Sequence, residues 1–120
     1  MIGKILIVES NIDTANIIQR ILSEDSFEVH QTTIVNLKSS IDTIKPDLIV
    51  LDHLPENELN GSDFCKEFKL SKQESDVPII LISESADLEE IAKDCNADAY
   101  ILKPFDDEDF CNTVKDILSL

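Results

Sequence analysis

The chain has 120 residues and carries ten Lys plus Arg against 25 Asp plus Glu, a formal net charge of -15. Such an excess repels phosphates, which excludes nucleic-acid binding as a main activity, and it disfavours anionic membrane surfaces for the same reason. Hydrophobic residues make up 42%, enough for the core of one domain over residues 1–120, and no apolar run approaches the roughly 18 residues of a membrane span.

The first element is a strand at Ile5-Leu6-Ile7-Val8. It is continuously apolar, so it needs cover on both faces, which is the condition of a parallel sheet sandwiched by helices. Ser10 or Asn11 can then cap a helix whose stripe is Ile17, Ile18, Ile21 and Leu22. A weaker strand follows at Phe27–Thr32, then a looser helical stripe of Val35, Leu37, Ile41 and Ile44. Pro46 stops that helix before a second continuous strand, Leu48-Ile49-Val50-Leu51. Phe64, Cys65 and Phe68 mark the third helix. Pro78 precedes the third continuous strand, Ile79-Ile80-Leu81-Ile82. Leu88, Ile91, Ala92 and Cys95 space a fourth helix, and Asp98–Leu102 reads as the last strand. Asp106 can cap a fifth helix with Asp107, Glu108 and Asp109 in its first turn, where acids favour the helix dipole. Its stripe is Phe110, Val114, Ile117 and Leu118. Five strand–helix units with short connections predict an α/β doubly wound domain with right-handed crossovers.

Cys65, Cys95 and Cys111 are scattered and form no C-x-x-C pair, and His30 and His53 are the only histidines. No zinc ligand set arises at the usual spacing. Together with the lack of a signal-peptide pattern, this predicts reduced thiols in a cytoplasmic protein.

In a doubly wound fold, ligands bind at the carboxyl ends of the strands, near the point where strand order reverses. The residues there are Glu9 and Ser10, Asp52, Ser83, and Lys103 with Pro104. A carboxylate, a hydroxyl and an ammonium converge on one rim. A phosphoryl group on Asp52 would find Lys103 to neutralise it and Ser83 to donate a hydrogen bond. Taken singly, each has a plainer reading. Glu9, Ser10 and Ser83 fit as helix caps, Lys103 as a solvated lysine, Tyr100 as strand packing, and His53 as a loop residue rather than a ligand. The convergence of the set favours chemistry. A flavin site needs a glycine-rich phosphate loop, whereas the loop after the first strand is Glu9-Ser10-Asn11-Ile12-Asp13. An aspartyl phosphatase usually wants a second aspartate two residues after the first, and Leu54 stands there.

The motifs K-I-L-I-V-E, P-D-L-I-V-L-D ending at Asp52, Asn60-Gly61, V-P-I-I-L-I-S ending at Ser83 and A-D-A-Y-I-L-K-P-F, in this order, give a pattern that resembles the receiver domain of two-component response regulators, from Lys4 to Leu120. The resemblance implies a five-stranded parallel sheet of order 2-1-3-4-5 with five helices. It implies that Asp52 is the phosphoacceptor, that Lys103 contacts the phosphoryl group, that the bond to Pro104 is cis, and that Ser83 and Tyr100 are the switch pair. Glu9, Asp52 and the backbone carbonyl of Leu54 would be magnesium ligands. It further implies a histidine kinase or phosphotransfer protein as donor, no separate enzymatic activity beyond intrinsic phosphotransfer, and an output surface on the fourth helix, fifth strand and fifth helix.

The departures are specific. Ser10 stands where the family has the second magnesium-binding acid, and a neutral hydroxyl is a poor substitute for a carboxylate at a hard cation. Pro55 comes three residues after Asp52 where the family has its proline at four, and Gly61 at nine, one more than usual, which implies a one-residue insertion between Asp52 and Gly61. Glu84 follows Ser83 where a small residue is usual. Two expectations therefore stand: a phosphoacceptor switch with weakened magnesium affinity, or a pseudo-receiver that binds partners without phosphorylation. Glu84 to Asp109 holds ten acids and two lysines. Like charges would meet in a dimer through that face, so a monomer, or a dimer through another face, is expected, with a basic partner protein for this surface.

Overall fold

The computed structural model describes residues 3–53, 60–71 and 76–120. Five strands, β1 (Lys4–Val8), β2 (Glu28–Thr32), β3 (Leu48–Asp52), β4 (Ile79–Ser83) and β5 (Ala99–Leu102), alternate with five helices, α1 (Ile12–Glu24), α2 (Leu37–Ile44), α3 (Gly61–Leu70), α4 (Leu88–Asp94) and α5 (Asp107–Leu118). All strand pairs are parallel and the order is β2-β1-β3-β4-β5.

The continuous apolar strands are buried on both faces because helices cover both. Leu6, Val8, Ile49, Leu51, Ile79 and Leu81 meet α2, α3 and α4 through Leu37, Ile41, Cys65, Phe68, Leu88, Ala92 and Cys95. Ile5, Ile7, Val50, Ile80 and Ile82 meet α1 and α5 through Ile18, Leu22, Phe110 and Val114. Burying each of these aliphatic side chains contributes on the order of 1.5–3 kcal/mol before the entropy of ordering is set against it. Asn11, not Ser10, caps α1, its side chain accepting from the Thr14 N–H at 3.1 Å. Asp106 takes the cap position of α5 without a side-chain cap hydrogen bond.

Two expected stripe members lie elsewhere. Val35 precedes α2 and is 73% exposed, and Ile17 of α1 is 43% exposed. Ala15 takes the inward place on α1 instead, one turn before Ile18. Phe27 lies just before β2 and is buried as part of the α1–α5 side of the core. Among the described residues, no helix is long and apolar enough to cross a membrane.

Candidate functional site

Three strand ends build the site. β3 ends on Asp52, which sits beside Ile82 in the ladder, and β4 ends one residue later on Ser83, opposite Leu102 of β5. The Lys103 N–H donates to the Ser83 carbonyl at 2.9 Å, which carries the β4–β5 pairing one step into the loop and fixes where the lysine departs. The Lys103–Pro104 peptide bond is cis. Asp52 and Ser83 are buried, at 6% and 7% exposure.

Lys103 lies between two carboxylates. Its ammonium contacts Glu9 Oε1 closely and Asp52 Oδ2 at 3.4 Å. The Glu9 side chain is 1% exposed. Its contact with Lys103 is a charge pair rather than an aligned hydrogen bond, because Oε1 has no hydrogen-bond partner among the described residues. The second oxygen, Oε2, accepts the Asn11 N–H at 3.1 Å. Glu9 is thereby tied both to the lysine and to the start of α1. Ser10 is exposed.

The Ser83 hydroxyl accepts the Ser85 N–H at 3.1 Å, so its lone pair is engaged by the following loop while its proton is available to a new acceptor. Tyr100, on β5 beside Leu81, is 39% exposed and therefore faces outward. Glu84 is exposed and lines, with Lys103, Thr14 and Phe105, a cleft of about 390 Å³ between α1 and the β5–α5 loop. A second cleft of about 270 Å³, lined by Glu9, Ser10, Gln31 and Thr33, opens on the other side of Glu9.

Gly61 was legible in the sequence only as a motif residue. A Cβ there would lie 2.0 Å from the Asp52 backbone oxygen, and the Gly61 N–H donates to the His53 carbonyl at 2.7 Å. The start of α3 is pressed onto the end of β3, and only a residue without a side chain fits. His53 is half-buried, and burial holds its imidazole below the ordinary histidine range, partly opposed by the Asp63 charge. Leu54, and with it the expected insertion before Gly61, lies outside the described residues.

Glu9, Asp52, Ser83 and Lys103 thus lie on one rim, at the carboxyl ends of β1, β3, β4 and β5. The model of the response regulator receiver domain matches residues 5–115, and the chain belongs to that family. It is 32% identical over 119 residues to the response regulator ArlR of Staphylococcus epidermidis, covering 95% of this chain. A comparable match is ArlR of Staphylococcus aureus strain USA300, at 32% over 120 residues. The chain spans about half, 52%, of the length of these curated relatives. Among solved structures, the signal receiver domain of a signal transduction histidine kinase from Syntrophus aciditrophicus is 30% identical with a TM-score of 0.82, over 98% of this chain and 90% of that one. The chemotaxis protein CheY4 of Vibrio cholerae, 20% identical with a TM-score of 0.84 over 96% of this chain and 98% of that one, shares the fold.

Receiver domains generally bind magnesium at this site. The residues here fit that ion poorly. No group of three or more His, Cys, Asp or Glu side chains is disposed to hold a metal among the described residues. Both carboxylates present, Glu9 and Asp52, are paired with Lys103, and the third position is the hydroxyl of Ser10.

Proposed function

We propose that the chain is a phosphoacceptor switch in two-component signalling, with Asp52 as the acceptor. The observation that carries this reading is the buried Asp52 carboxylate with the Lys103 ammonium 3.4 Å away. A carboxylate oxygen of Asp52 attacks phosphorus, the bond from phosphorus to the donor nitrogen breaks, and the leaving imidazole takes up a proton. The product is an acyl phosphate. Lys103 neutralises the added charge, and Ser83 turns its hydroxyl toward the phosphoryl oxygens. Tyr100 then moves into the space that Ser83 vacates, which alters the surface of α4, β5 and α5. The donor is a histidine kinase or phosphotransfer protein. The receptor of the signal is a basic protein surface, since α4 and α5 open with Glu89, Glu90, Asp107, Glu108 and Asp109.

Incubation with a small-molecule phosphoryl donor and excess magnesium, read by intact mass, tests this. One phosphoryl group is expected on the natural chain and none on Asp52→Ala. A second reading, a pseudo-receiver that signals by binding alone, is favoured by Ser10. Stoichiometric phosphorylation lost in Asp52→Ala eliminates it.

A further inference from the structure

We propose that Glu9 is the standing counter-ion of Lys103 rather than a metal ligand, and that Ser10 beside it makes this a phosphoryl site of weak divalent-cation affinity. The inference rests on reading Asp52 as the acceptor, and it concerns how that site balances its charge.

Both oxygens of Glu9 are committed within the protein, Oε1 to the Lys103 ammonium and Oε2 to the Asn11 N–H. The Glu9 side chain is 1% exposed and that of Lys103 14%, so water screens the pair only weakly. The Lys103 ammonium bridges the two carboxylates, donating to Asp52 Oδ2 at 3.4 Å and in charge contact with Glu9 Oε1. An entering dication must compete with Lys103 for both carboxylates. Affinity for hard cations follows the count of charged oxygen ligands, and Ser10 contributes none. Lys103 thus acts as the resident cation of the site. It stabilises Glu9 and Asp52 before transfer and is available to the phosphoryl group afterward.

Manganese, a paramagnetic stand-in for magnesium, provides the test on the 120-residue chain labelled with 15N. On the natural protein, manganese up to about 1 mM is expected to give no saturable broadening localised at the Asp52 and Ser10 amides. Ser10→Asp is expected to bind at least about tenfold more tightly, with broadening confined to those amides. The Lys103 side-chain 15N resonance is expected to move in Glu9→Gln, and to stay in place when magnesium is added to the natural chain. A structural role alone would not make that resonance report on Glu9. Saturable binding by the natural chain as tight as that of Ser10→Asp would overturn the proposal, as would a Lys103 resonance indifferent to Glu9→Gln. The natural-chain measurements need no variant to fold. No phosphoryl donor is used, so failure of Asp52 to accept phosphate would be a separate result.

Discussion

A methyl group at Gly61 has nowhere to go. Its nearest neighbour is the Asp52 carbonyl, a backbone atom that cannot swing aside. Gly61→Ala is expected to cost about 1–3 kcal/mol in urea denaturation, with amide shifts at Asp52 and His53. Lys103→Ala is expected to cost more, about 3–5 kcal/mol, because it leaves the Glu9 carboxylate, 1% exposed, without its counter-ion. Lys93→Ala is the control. Its pair with Glu89 is 76% and 61% exposed on the two sides, and its loss should change stability by less than about 0.5 kcal/mol. At this scale the site was largely legible, since Asp52 and Ser83 close their strands and Lys103 directly follows one, and strand ends of one parallel sheet share an edge. That the lysine pairs with both Glu9 and Asp52 was not. The pairing depends on where the Asn11 N–H and the Lys103 backbone hold the side chains, and linear spacing does not carry it.

Helix α5 is held to the sheet by Phe110 and Val114, both fully buried, and Phe110 also packs its ring 4.8 Å from that of Phe105. Phe110→Ala is expected to lower stability by about 3–5 kcal/mol, read by thermal or urea unfolding. The α3–α4 contact has its own pH signature. Burial, with Cys95 close by, raises the Cys65 thiol well above its usual value of 9.0. The unfolded chain therefore loses that proton first as pH rises. The neutral thiol's contribution is full below about pH 9 and is lost progressively above it. Urea midpoints should fall between pH 9 and 10.5 by more in the natural chain than in Cys65→Ala. The elements themselves were readable because a four-residue apolar run with no polar face has only one stable setting in a small α/β domain. Val35 and Ile17 were misread for a related reason. Each sits one position from a buried residue, Ile34 and Ile18, and an apolar neighbour extends a stripe on paper without facing the core.

Across the whole molecule the charge of -15 sets the behaviour. Self-repulsion should be screened by salt, so the unfolding temperature is expected to rise between low and physiological ionic strength. Sedimentation velocity is expected to give a monomer of 13.5 kDa, and a tight dimer through α4 and α5 would contradict the charge argument. The fold order β2-β1-β3-β4-β5 was reachable from the sequence only through the family resemblance, because alternation of strands and helices does not distinguish among doubly wound orders. The central claim, that charge arriving on Asp52 is passed through Ser83 to Tyr100, is tested most directly by amide shifts on adding beryllofluoride with excess magnesium. The expected result is a set of shifts running from Asp52 through Ser83 and Lys103 to Tyr100 and the start of α4. An unchanged spectrum around Asp52 and Tyr100 would contradict it.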